Sequence, residues 1–184
     1  MTYFTADTHF GHHNIIQFCN RPFTSTEEMD KTIIENWNTR VCGNDTVYII
    51  GDMFFRSKNA EEILRQLKGK KRLIIGNHDE SWMTKFNYTK YFLSTDRLLE
   101  TTDGQHKLTL CHYPMFFWKH KLRSYMIHGH IHNNTQTEFY PLIAAQKNIL
   151  NAGVDINGFQ PVTFDELIEN NRDFKSTFNT GRPE

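Results

Sequence analysis

The sequence predicts an α/β protein, and three observations carry that expectation. Short β-branched or aromatic runs break off abruptly into polar residues at five places along the chain. Amphipathic stretches with helix-start signals lie between several of these runs. The chain of 184 residues, 38% of them hydrophobic, is long enough for one sizeable core and short for two typical domains, so a single domain over residues 1–184 is expected.

The first predicted strand, residues 3–6, runs into Asp7-Thr8-His9, followed by Phe10-Gly11-His12-His13-Asn14, where Gly11 permits a sharp path. His12, His13 and Asn14 are either substrate-side residues or part of an exposed polar loop. Ser25 with Glu28 forms a capping box for a helix whose Met29, Ile33, Ile34 and Trp37 recur at helical spacing, a core stripe rather than a cofactor surface. A second strand, residues 47–50, delivers Gly51-Asp52 and then Met53-Phe54-Phe55-Arg56. Arg56 either clamps a phosphate oxygen or lies solvated. Asn59 is the candidate cap of the next helix, with Ile63, Leu64 and Leu67 inward and Gly69 as its stop.

The run Leu73-Ile74-Ile75 then breaks into Gly76-Asn77-His78-Asp79, read either as a polar turn or as a site at a strand end. Residues 81–91 are expected to be helical. Strands at 97–102 and 107–111 flank Asp103-Gly104, a hairpin signal, and the second of them ends in His112. The aromatic segment 113–118 either walls a pocket or packs under a surface loop. A strand at 125–127 enters His128-Gly129-His130-Ile131-His132; further strands are expected at 135–140 and 148–151. Thr163 with Glu166 caps a short last helix through Leu167 and Ile168, and residues 172–184 read as a docked or frayed tail.

In α/β proteins ligands bind just beyond the carboxyl ends of strands. One histidine at such an end is ordinarily a hydrogen-bonding residue, but five strand ends here each carry a possible metal ligand. Carboxylate, imidazole and amide donors without thiolates suit divalent ions of the manganese, iron, nickel and zinc group, and such a mixed set can hold two.

Asp7-x-His9, Gly51-Asp52, Gly76-Asn77-His78-Asp79, His112 and Gly129-His130-x-His132 resemble the ordered signature of the calcineurin-like metallophosphoesterase superfamily. All five blocks stand in order between positions 7 and 132. The opening Asp-x-His-x-x-His-x-Asn stretch is similar to that of small single-domain bacterial or phage-type members. The resemblance implies a four-layer α/β/β/α sandwich with a dinuclear centre at one edge. It implies Asp7, His9 and His132 on one metal, Asn77, His112 and His130 on the other, and Asp52 bridging both. His78 would meet the leaving group, oriented by Asp79. The implied activity is hydrolysis of a phosphoric ester by a hydroxide shared between the two ions.

Lysine plus arginine equals aspartate plus glutamate at 21 each, which argues against long nucleic acid or an anionic membrane as partner while leaving room for a local basic pocket. Cys19, Cys42 and Cys111 lack paired or metal-finger spacing and fit reduced thiols in a cytoplasm. No apolar run reaches transmembrane length, and Met1 leads directly into the first strand, leaving no space for a signal peptide. A small phosphodiester or nucleotide-like phosphoester is the expected substrate, because few residues remain for docking a protein and the loops near 12–21, 54–56 and 113–118 mix aromatic and cationic or imidazole groups. A phosphomonoesterase, a short-oligonucleotide nuclease and a non-catalytic scaffold on the same fold are the alternatives. The oligomeric state is not set by the sequence.

Overall fold

Strands buried on both faces set the layering. In the computed structural model, which describes residues 1–179, β1 (Thr2–Thr5), β2 (Thr46–Ile50), β3 (Lys70–Ile74) and β4 (Phe92–Asp96) form a parallel sheet in that order. β5 (Leu98–Thr102), β6 (Lys107–Cys111), β7 (Ser124–His128) and β8 (Ile149–Asn151) form a second sheet in sequence order, antiparallel between β5 and β6 and parallel thereafter. The helices are α1 (Ile15–Phe18), α2 (Thr26–Arg40), α3 (Ala60–Gln66), α4 (Glu80–Met83), α5 (Tyr140–Ala144) and α6 (Phe164–Asn179).

Alternate side chains of each strand enter different cores, as the period of two requires. Tyr3, Val47, Ile49 and Leu73 pack with Met29, Ile33 and Trp37 of α2 and Ile63 and Leu64 of α3. Their neighbours Phe4, Tyr48, Ile50 and Ile74 meet Leu108, Leu110, Ile127 and Leu150 of the second sheet. The far face of that sheet, Met126 and Ile149, packs with Tyr140 and Ile143 of α5 and with Phe174 and Phe178 of α6. The result is the expected α/β/β/α sandwich. The outer edge of β1 is covered by a two-bond bridge between Phe4 and Val162.

Both capping boxes exist, one in altered form. Ser25 Oγ accepts from Glu28 N at 3.1 Å, but the Glu28 carboxylate closes on Thr24 N and Oγ1 instead of on Ser25. Thr163 and Glu166 bond reciprocally. Asn59 precedes α3 without a side-chain cap bond. Three expectations are corrected. Residues 81–91 hold only α4 and a 3-10 turn, Tyr88–Lys90, because Trp82, Phe86 and Tyr88 turn inward as a ring cluster. Residues 135–140 form no strand; they are loop up to α5, which carries Pro141 in its first turn. The last helix is long, because burial of Phe174 and Phe178 continues it through much of the expected tail; residues 180–184 lie outside the described residues. No helix among the described residues is long and apolar enough to cross a membrane.

Candidate metal centre

The carboxyl ends of β1, β2 and β3 in one sheet and of β6, β7 and β8 in the other lead into loops that converge. In those loops Asp7, His9, Asp52, His130 and His132 adopt positive φ, between 50° and 72°, five of the nine non-glycine residues that do so among the described residues. Each such residue costs on the order of 1–3 kcal/mol, so strain is concentrated where these side chains meet. The motif glycines create the space. A Cβ on Gly76 would strike Asp52, and one on Gly51 would strike the His112 ring.

Three groups of donors result among the described residues; two take in residues of the motif blocks, and the third, Cys19, His132 and Asp155, shares His132 with the first. Ligand atoms of Asp7, His9 and His132 lie within 4.8 Å of one another, as do those of Asp52, His112 and His130. Asn77 Oδ1 stands 3.1 Å from His112 Nε2, which brings the seventh candidate to the second group. Asp52 Oδ2 lies between the groups, 3.3 Å from His112 Nε2 and 3.7 Å from His9 Nε2. All seven sequence-derived candidates therefore meet at one edge.

The donor chemistry fits cations. Both ring nitrogens of His9 are buried without a hydrogen-bond partner, an arrangement that is costly unless something else satisfies them. His112 Nδ1 lies 2.9 Å from Ile50 O and must donate there, so its Nε2 lone pair converges with those of Asn77 Oδ1 and Asp52 Oδ2. Three lone pairs pointing together require a positive centre. Without metal, a proton on His112 fills that role. Burial pulls its pKa down, but the Asp52 hydrogen bond and the Asp7 and Asp52 charges outweigh it and raise the pKa to about 9. Asp52 responds in the opposite sense: burial raises it, yet His112 and the His78 amide hold it at about 2. In the other group burial raises Asp7 to about 6, and it drives His9 well below its ordinary value, helped by His132.

His78 and Asp79 behave differently from each other. His78 N donates to Asp52 Oδ1 at 2.8 Å, which places its 39%-exposed ring in the cleft with Nε2 3.9 Å from Asp52 Oδ2. Asp79 does not orient that ring, contrary to expectation. Its buried carboxylate is taken up by four donors: Asp52 N, Met53 N, Gly76 N and Trp82 Nε1, at 2.8–2.9 Å. It therefore clamps the Asp52 loop to the Gly76 loop, and acts on the site through their geometry.

The clusters open into a cleft of about 950 Å³. His12, Asn14 and Arg56 line it, as does Phe55, on which the His12 ring stacks at 3.9 Å. His13 does not; its Nδ1 reaches Thr26 Oγ1 at 3.5 Å. Residues 133–137 with Phe139 also line it, a stretch that overlaps the strand expected at 135–140. Of the aromatic segment 113–118, Met115, Phe116 and Trp118 pack on the outer core, while Tyr113 sets its ring 4.7 Å from that of His130. Sequence reasoning passed over Arg21, Asn151 and Asp155, whose buried side chains bind the first cluster from behind. Arg21 and Asp155 are marked only by each other across 134 residues, and Asn151 by a bond to His132 O across 19, which leaves no local signal.

The fold and the Asp/His clusters, a candidate metal site, fit the class of the metallophosphoesterases. The calcineurin-like phosphoesterase family model matches residues 2–178, and the chain belongs to that family. It is 36% identical to the uncharacterized protein MJ1445 of Methanocaldococcus jannaschii over 91% of this chain and 89% of that protein. The gene 66 protein of Mycobacterium phage D29 is 27% identical over 71% of the chain and 78% of its own length. Among solved structures, a protein of unknown function from Aquifex aeolicus, AQ665, matches with a TM-score of 0.69 and 26% identity, covering 92% of this chain and 98% of that one.

Proposed function

We propose that the chain is a dinuclear metal phosphoesterase acting on a small phosphodiester or nucleotide-like phosphoester. The observation that carries this reading is the convergence of carboxylate and imidazole donors in two groups that approach each other at Asp52, with both His9 nitrogens left unpartnered. Asp7, His9 and His132 would hold one ion and Asn77, His112 and His130 the other, with Asp52 available to both. Such ions, when bound, acidify a water nucleophile and offset charge on the phosphate oxygens. The chain's own part is to orient and to move a proton. His78, anchored through its amide to Asp52, presents its ring to the cleft, where a departing ester oxygen takes a proton or a hydrogen bond from it.

The lining of the cleft supports the substrate class. Among the described residues, Arg56 is its one lysine or arginine, and no aspartate or glutamate lines it. A polyanion needs several cations along its path. The wall offers instead the amides and hydroxyls of residues 133–137 and two exposed rings, Phe18 and Phe139, 71% and 41% exposed. Neutral hydrogen-bonding groups beside aromatic faces suit an uncharged planar substituent on a phosphate. A panel of phosphoesters assayed with manganese tests this: kcat/KM should be greater for bis-nitrophenyl phosphate or a cyclic nucleotide than for nitrophenyl phosphate. Hydrolysis confined to monoesters or phosphoproteins would overturn the substrate class and leave the metal reading intact.

A further inference from the structure

We infer that Asp155, with Arg21, is a positioning residue for the first cluster, and that the ion held by Asp7, His9 and His132 depends on it for its affinity. The inference rests on the dinuclear reading. Asp155 lies in a 3-10 turn, Val154–Ile156, just past β8, and Arg21 follows α1; neither belongs to the five motif blocks. Their side chains are 1% and 0% exposed. The Arg21 guanidinium forks onto Asp155, Nε to Oδ1 at 2.8 Å and Nη2 to Oδ2 at 3.1 Å. Of its remaining donors, Nη1 reaches Thr8 O at 2.9 Å and Met29 Sδ at 3.4 Å, and Nη2 reaches Asp7 O at 2.7 Å. Asp155 Oδ2 is 2.9 Å from His132 Nδ1. From β8, Asn151 Nδ2 donates to His132 O at 2.7 Å. One connected set thus grips the loop carrying Asp7 and His9 and both the backbone and the ring of His132.

Stability is a poor reason for this arrangement, because a buried ion pair is often matched or bettered by an apolar pair of the same volume. Orientation is the better one. A carboxylate can only accept, so Nδ1 of His132 carries the proton and Nε2 keeps the lone pair for the cluster. The carboxylate also makes the imidazole a stronger donor. His112 in the other cluster is backed only by the neutral Ile50 carbonyl. The two sites are therefore built unequally, and loss of Asp155 should weaken one of them selectively.

Equilibrium dialysis of chelated protein against manganese alone, followed by elemental analysis, tests this. Wild type should take up two ions; Asp155→Ala should bind one of them about 10- to 100-fold more weakly and keep the other. Nitrogen-15 spectra of the chelated protein should show a hydrogen-bonded, slowly exchanging Nδ1–H of His132 in wild type, its loss in Asp155→Ala and its recovery in Asp155→Asn, which restores an acceptor. Should Asp155→Ala fail to fold with Arg21 left uncompensated, the double variant Arg21→Met/Asp155→Ala carries the same measurements. Two ions at wild-type affinity, or an unchanged His132 Nδ1–H, in a folded variant lacking the carboxylate would overturn the inference. Fewer than two ions in wild type would instead defeat the dinuclear reading, and the hydrogen-bonded Nδ1–H would then judge Asp155 alone.

Discussion

At the scale of single residues, the centre is a set of polar groups that satisfy one another only in part. His9 has no partner for either nitrogen, and His112 Nε2 faces two acceptors. Such groups are costly in a metal-free core, which is why they point to a bound cation and not to packing. His78 stands apart, since its ring lies in the cleft while its backbone is what touches Asp52. His78→Ala should accordingly keep both ions and slow hydrolysis by on the order of 10²- to 10⁴-fold, about 3 to 5.5 kcal/mol of barrier. The loss should shrink for esters with acidic leaving groups, which need little protonation. Rates measured across leaving groups of widely different pKa decide the matter, and an equal loss throughout would rule out His78 as the proton donor.

At the scale of elements, loops are held by the helices behind them. Asp30 of α2 accepts from Gly11 N through both oxygens, at 3.1 and 3.2 Å, and so pins the loop that carries His12. Burial raises the Asp30 carboxyl to about 6, against the lowering effect of the Gly11 amide. Its folded pKa thus exceeds the unfolded value of about 3.9, so the folded state binds the proton more tightly. That contribution is fully present below about pH 4 and is lost as the pH rises through about 6. Asp30→Asn, neutral throughout, should match wild type near pH 4 and exceed it by on the order of 1 kcal/mol near pH 8 in denaturant midpoints, the full shift being discounted for partial exposure. A difference independent of pH would refute this. Elements with periodic burial were legible in the sequence: β1, β2, β3, β6 and β7 from their apolar runs, α2 from its Ser25 cap and its Met29, Ile33 and Trp37 stripe. β4 was not, because only Phe92 of its five residues is buried. Residues 135–140 mimic strand alternation but end in a turn, with Tyr140 N bonded to Thr137 O. The motif residues were legible because their chemistry is local to strand ends; Asp155 and Arg21 were not, because their role exists only after 134 residues of chain have folded back.

At the scale of the whole molecule, each cluster draws on both sheets. Asp7 and His9 follow β1 of one sheet while His132 follows β7 of the other; Asp52 follows β2 while His112 and His130 follow β6 and β7. The inter-sheet core of Phe4, Ile50, Leu110 and Ile127 fixes the distance across which those ligands meet. An ion bound at either cluster would therefore tie the sheets together and add its binding free energy to the folded state. The central claim, that two ions bound around Asp52 enable phosphoester hydrolysis, is tested most directly by titrating manganese into chelated protein while following turnover of bis-nitrophenyl phosphate, in wild type and in Asp52→Asn. Wild-type turnover should rise from baseline and level off at two ions per chain, and Asp52→Asn should lose metal and turnover together. Full turnover in the chelated protein, or two tightly held ions with unimpaired turnover in Asp52→Asn, would contradict the account.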